Sequence, residues 1–214
     1  MQEKMPIAIV SDVVCPWCFI GKARLETALA NHGLTNRVAI TWLPYELNPD
    51  MPADGADRTS YLDAKFGSGK RKEIEIRLSE AALESGVTFN WSKVTRTPNT
   101  RMAHMLIAAA STVQRGTEMK AALFKAYFQD GRDIGDLETL VAIATELGFE
   151  ENAARDELTN DELRETIIGL EAHAQKVGVT GVPFFIVEGK LAVSGAQTPD
   201  VWTKVFAQLA RETA

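Results

Sequence analysis

Apolar and polar positions follow two different periods along this chain. Residues 5 to 11, Met-Pro-Ile-Ala-Ile-Val-Ser, are β-branched and small apolar residues in a run too short for a helix, which predicts a buried strand. Asp12 to Val14 lead into a segment in which Cys18, Gly21, Leu25 and Ala28 recur on one face until Gly33 closes it. Pro16 suits the first helical turn, where its missing N–H costs nothing. Residues 37 to 43 alternate as a second strand, and Pro44, Pro49 and Pro52 then punctuate a loop. The opening is predicted to be a β-α-β unit.

From about Thr59 to Asp156 the period becomes helical with few strand candidates, marked by Met102, Leu106, Ala109 and Val113, then by Leu137, Leu140, Val141, Ala144 and Leu147. Thr159 and Glu162 have capping-box spacing before a stripe of Leu163, Ile167, Leu170, Ala174 and Val177, which Gly178 ends. Phe184 to Val187 and Leu191 to Ser194 flank a tight turn at Glu188-Gly189. Thr198-Pro199 opens a last helix with Val201, Val205 and Leu209 inward. There is no internal repeat and no low-complexity segment. The order β-α-β, helical block, α-β-β-α is an α/β plan: a thioredoxin-like fold interrupted by a helical insertion after its second strand. Residues 1–55 and 157–214 are expected to form the discontinuous thioredoxin-like domain, and 56–156 an inserted helical domain lying as a lid beside the cysteine end of the sheet.

Composition narrows the function classes. The 214 residues are 45% hydrophobic and 24% charged, enough apolar surface for a full core. A net charge of -6 without any Lys/Arg run argues against nucleic acid as a partner. No segment approaches membrane-spanning length. Met1 to Ser11 is too short and lacks the basic start of a signal peptide, so a cytoplasmic protein is expected. In a reducing compartment a close cysteine pair is more often catalytic or metal-binding than a structural bridge.

Both cysteines of the chain lie in Cys15-Pro16-Trp17-Cys18. Disulfide exchange needs a thiolate to attack a disulfide sulfur and a second thiol to resolve the mixed disulfide. A helix start supplies unpaired N–H groups and a positive dipole end at Cys15, and the i, i+3 spacing puts Cys18 on the same face one turn on. Such a first cysteine can have a depressed pKa, so Cys15 is the expected nucleophile and Cys18 the resolver. Zinc would need two further ligands, yet only His32, His104 and His173 remain besides carboxylates, with no second paired motif. No metal is expected. Inert burial does not account for a strand, a cysteine pair and a first-turn proline occurring together.

Five segments carry a family resemblance: Ser11-Asp12-Val13-Val14-Cys15-Pro16-Trp17-Cys18, Pro44-Tyr45-Glu46-Leu47-Asn48-Pro49, Pro98-Asn99-Thr100-Arg101-Met102-Ala103-His104, Gly181-Val182-Pro183-Phe184-Phe185 and Ser194-Gly195-Ala196-Gln197. In order and content the chain resembles a cytoplasmic DsbA-family oxidoreductase of the FrnE-like type. The resemblance implies a cis Val182-Pro183 bond facing the cysteines, with the Val182 backbone free to pair with an extended substrate and the Pro183 ring blocking metal access. Pro183 also reads as an ordinary entry to the strand at Phe184. Pro16 and Trp17 join Val182 and Pro183 as expected motif and substrate-contact residues. Compared with strongly oxidising relatives that carry histidine at its position, Trp17 implies a less acidic Cys15 and a weaker oxidant.

Four further residues are candidates for tuning or for lining a pocket: Asp12 three residues before Cys15, Glu46 just beyond the second strand, and Arg101 and His104 three apart on one helix. For each the ordinary alternative is capping, solvation or packing. No bound cofactor is expected, with glutathione a candidate reductant or co-substrate. The expected partners are disulfide- or thiol-containing proteins or peptides. Two other functions fit the same elements. One is a glutathione-dependent isomerase or transferase of the kappa or 2-hydroxychromene-2-carboxylate isomerase type, whose members present a single serine at the first motif position. The other is a thioredoxin-fold chaperone with incidental thiols.

Overall fold

The computed structural model describes residues 4–212; residues 1–3 and 213–214 lie outside it. A mixed sheet in the order β2-β1-β5-β6 carries the molecule. Its central strand β1 (Met5–Ser11) buries Ile7, Ile9 and Val10 and pairs in parallel with β2 (Val38–Pro44), Ile7 opposite Ile40. A parallel pair needs a crossover, and α1 (Pro16–Asn31) supplies it. That helix ends in a Schellman motif: Gly33 takes φ 65°, and the N–H groups of Gly33 and Leu34 reach the carbonyls of Ala30 and Leu29. Arg37 falls in a short 3-10 turn, so β2 lies one residue later than its alternation implied.

The interruption begins with β3 (Ala56–Asp57), α2 (Arg58–Phe66) and α3 (Lys70–Glu84), then β4 (Arg96–Thr97). The two-residue strands β3 and β4 pair antiparallel and staple the loop entering α2 to the one entering α4. There follow α4 (Arg101–Thr112), α5 (Gly116–Lys125), a π turn over Ala126–Asp130, α6 (Leu137–Glu146) and α7 (Glu151–Leu158). Helices α4 and α5 pack against β2. One buried cluster runs from Ile7, Phe19 and Phe185 through Phe124 and Phe128 to Leu140 and Leu158, so the helical block and the sheet share an apolar interior. Phe19, one residue past Cys18, is the link: its ring stacks on Phe124 at 5.0 Å and Phe128 at 6.0 Å.

The chain returns through α8 (Asp161–Lys176) to the hairpin of β5 (Phe184–Val187) and β6 (Leu191–Ser194), with β5 antiparallel to β1. Glu188 and Gly189 both have positive φ, 52° and 67°, the mirror-image turn that matches strand twist. Helix α9 (Pro199–Glu212) closes the fold.

Three local expectations need correction. The N-cap of α8 is Asn160, whose side chain accepts from the Glu162 and Leu163 N–H groups, while the Thr159 hydroxyl bonds back to the Arg155 carbonyl in α7. Helix α4 buries Ala103, Leu106, Ile107 and Ala110, leaving Val113 58% exposed at its C-cap. Helix α9 centres on Trp202, Phe206 and Leu209, because the Trp202 ring packs edge-on against Phe185 at 4.9 Å. Val201 and Val205 flank that face.

Candidate active site

The cysteine pair sits where β1 hands over to α1. Ser11 is the last strand residue, the Cys15 N–H bonds back to the Asp12 carbonyl at 3.3 Å, and Cys15 is the extended N-cap of the helix. The Cys18 and Phe19 N–H groups point back at the Cys15 carbonyl at 3.0 and 3.3 Å. Both thiols are free, with Cys15 at 4% exposure and Cys18 at 1%, and they are close enough that each shifts the other's ionisation. Cys15 lines an apolar cavity, and Trp17, 42% exposed, forms part of its wall with Pro16. Across from them the Val182-Pro183 bond is cis, and the Cys15 thiol faces the Val182 carbonyl at 3.6 Å. Pro183 is buried against α1: a Cβ on Gly21 would lie 2.9 Å from its ring. That close approach explains a glycine in mid-helix.

Asp12, Glu46, Arg101 and His104 come together behind the pair, and none of the first two is a solvated loop acid. Asp12 is fully buried; its Oδ2 accepts the Leu47 N–H at 2.8 Å, and its Oδ1 lies 3.4 Å from His104 Nε2. Burial opposes ionisation of Asp12, but His104, the Leu47 N–H and Lys120 together hold its pKa below the usual carboxylate value. His104, 2% exposed, is pushed down by burial despite Asp12, so its neutral ring is favoured. Glu46, 4% exposed, takes a two-point bond from Arg101 at 2.9 and 3.0 Å, yet burial still raises its pKa. The two pairs tie the start of α4 to the loops after β1 and β2.

Sequence reasoning missed Lys120. It is 1% exposed on α5, with Nζ 3.3 Å from the Ser11 carbonyl and resting over the Trp42 and Phe124 rings at 5.3 and 5.1 Å. Burial lowers its pKa to about 8, while the nearby charges of Cys18, Asp12 and Cys15 oppose the fall. The signal was present. Gly116, Met119, Leu123 and Phe124 make the buried stripe of α5, and Lys120 occupies a core phase of it. Ser11 Oγ, buried beside Cys18, was also missed. A small cavity of about 30 Å³ between Trp42, His104, Lys120 and Ile167 has room for about one water beside these groups.

Charge at the pair differs from the expectation of an acidic Cys15. The hydrogen bond to Cys18, together with burial, pushes the Cys15 thiol well up. Burial also opposes ionisation of Cys18, but the Cys15 hydrogen bond, Lys120 and Ser11 outweigh it and bring Cys18 down. The reason is the buried cation: the helix start favours an anion at Cys15, while Lys120 favours it at Cys18. The two shifts are opposite in direction because the thiols titrate as one coupled pair, with Cys18 the favoured place for its first negative charge. Among the described residues, no group of three or more His, Cys, Asp or Glu is placed to hold a metal ion.

Sheet order, connecting helices and a cysteine pair at the start of α1 define a thioredoxin-fold protein with an interrupting helical block. Residues 6–207 match the family model of the DSBA-like thioredoxin domain, and the chain belongs to that family of thiol–disulfide oxidoreductases. It is 31% identical to a probable DsbA oxidoreductase from Streptomyces coelicolor, covering 95% of this chain and 89% of that one with a TM-score of 0.85. It is also 29% identical over 201 residues to the uncharacterized protein YwbO of Bacillus subtilis (strain 168), 94% of each chain. Its fold is shared by the cytosolic disulfide reductase DsbM from Pseudomonas aeruginosa, solved with GSH, at 18% identity and a TM-score of 0.68 over 96% of this chain and 99% of that one. Among the described residues no helix is long and apolar enough to cross a membrane.

Proposed function

We propose that this protein exchanges disulfides through Cys15 and Cys18, with Cys15 attacking and Cys18 resolving. The observation that carries the reading is the asymmetry of the pair: Cys15 opens to the cavity, while Cys18 is turned inward beside a buried lysine. Cys18 holds the first negative charge and acts as the base for its neighbour. As Cys15 attacks a substrate disulfide, its proton passes along their hydrogen bond to Cys18, and one substrate half leaves as thiolate. The departing thiolate takes up that proton, and Cys18, its thiolate favoured by the Lys120 ammonium, attacks the Cys15 sulfur. The second half leaves, the Cys15–Cys18 bond forms, and two electrons have passed to the substrate. A low-molecular-weight thiol returns the pair to its reduced state.

The DsbM neighbour, cytosolic by name and solved with GSH, supports a cytosolic reductase recharged by glutathione as the direction of this exchange. The Val182 carbonyl is the group offered to an extended substrate backbone, and Glu46 and Arg101 are positioning residues. Reaction of the reduced protein with a disulfide substrate, with no other thiol added, tests the reading. Cys15→Ser is expected to abolish turnover, and Cys18→Ser to stall with substrate bound covalently. Normal turnover by either variant would remove the pair from the chemistry. A chaperone with incidental thiols would keep its holding activity in both.

A further inference from the structure

We propose that the cavity beside Cys15 is a binding site for a small aromatic carboxylate, so that the preferred disulfides carry a ring and an acid group. The cavity holds about 350 Å³, within the range of small-molecule sites. Its walls contain the rings of Tyr61, Phe66, Trp91 and Phe128, and Phe66 is 45% exposed. Together with exposed Trp17 this offers flat apolar surface next to the reactive sulfur.

Charge selects the ligand's sign. Among the residues lining the cavity are the cations Arg58, Lys65 and Arg71 against the single carboxylate of Glu75, in a chain of net charge -6. Arg58, 7% exposed, already takes Glu75 Oε1 at 2.5 Å and lies 4.9 Å from the Trp91 ring centroid. Arg71 reaches only the same oxygen, at 3.3 Å. Lys65 Nζ contacts neutral acceptors, Asn48 Oδ1 at 2.8 Å and the Tyr61 hydroxyl at 3.1 Å, and among the described residues no carboxylate lies within ion-pair distance of it. Two positive charges beyond what Glu75 can balance therefore stand at the rim of a largely apolar space, Lys65 on its exposed edge, where they attract an anion and salt weakens that attraction. An aromatic acid fills both needs at once, its ring on the aromatic walls and its carboxylate at Lys65 and Arg71.

That such a ligand is a disulfide rests on the exchange reading; the binding site itself does not. In the reaction, Cys15 bonds to one ligand sulfur, the ligand S–S bond breaks, and the other half leaves as an aromatic thiolate. Cys18 closes the internal disulfide and frees the first half, and a low-molecular-weight thiol supplies the two electrons for the next cycle.

Calorimetric titration of the full chain with 2-naphthoate and its neutral isostere 2-naphthamide tests the site without any sulfur in the probe. Naphthoate is expected to bind at least about tenfold tighter than the amide at low salt. A Lys65→Gln, Arg71→Gln double variant is expected to lose that preference while keeping its amide affinity and its helical circular dichroism. Equal affinity for both probes, binding of neither, or a preference that survives the double variant would overturn the proposal. If the double variant does not fold, loss of the wild-type preference in high salt replaces it, and a preference indifferent to salt overturns the proposal. Because the probes cannot react, a failure here leaves the exchange reading standing, and a failed turnover assay leaves this site standing.

Discussion

Lys120 occupies a position where the stripe of its helix calls for a hydrocarbon, and its ammonium is held under Cys18 with one backbone carbonyl as its named acceptor. Burial depresses its pKa to about 8 from 10.5, so between these two values the unfolded chain binds the extra proton and the fold gains stability as pH rises. Below that window both states carry the proton and the full burial penalty remains. Lys120→Met is therefore expected to stabilise the protein at neutral pH by about 1–3 kcal/mol, part of the gain being offset because Asp12 loses a cation. Denaturant unfolding at several pH values should show the gap narrowing above pH 8. The same variant is expected to raise the first ionisation of the cysteine pair in an ultraviolet thiolate titration, and a fall would remove Lys120 from the tuning of Cys18. Cys15 and Cys18 stood out in the sequence as a candidate pair because disulfide exchange asks for two thiols within one helical turn. Lys120 was not, since a lysine on an apolar stripe gains meaning only when the stripe is seen to face a thiol 102 positions away.

At the scale of elements, the strands and the order of helices followed from periodicity, because a two-residue or 3.6-residue repeat is a local property of the chain. Helix phase was less legible. In α9 the largest ring, Trp202, takes the centre of the face, and in α4 packing on β2, α5, α7 and α8 widens the buried arc beyond one stripe. The approach of α1 to β5 gives a quantitative test. Gly21→Ala would gain roughly 1 kcal/mol in helix propensity, but its Cβ would meet the Pro183 ring at 2.9 Å and Phe185 at 3.3 Å. Overpacking of this kind costs about 1–3 kcal/mol, and the neighbours are a ring and a fully buried aromatic with little room to yield. We expect a net loss of stability and a slower reaction of Cys15, measured by thermal unfolding and by alkylation rate. A more stable variant would show that α1 can shift away from Pro183 at no cost.

Across the whole molecule, the helical block is joined to the cysteine end of the sheet by a shared core and by two polar pairs, Asp12 with His104 and Glu46 with Arg101. Each pair joins residues 55 or more positions apart, so the sequence offered four candidates but no pairing. Burial raises the Glu46 pKa even with Arg101 present, so ionised Glu46 weakens the fold as pH rises through its titration. Arg101→Met removes the cation paired with Glu46 and should raise that pKa further. The expected loss is about 1–3 kcal/mol at neutral pH, shrinking in acid, where Glu46 is protonated in both states; a deficit that grows in acid would contradict this. The exchange mechanism itself is tested most directly by mapping sulfur bonds in the reduced protein after one equivalent of a small disulfide, using acid quench and peptide mass spectrometry. Wild type is expected to yield an internal Cys15–Cys18 bond, and Cys18→Ser to retain one ligand half on Cys15. A ligand half found on Cys18 in the Cys15→Ser protein at the wild-type rate, or no adduct on Cys15, would contradict the account.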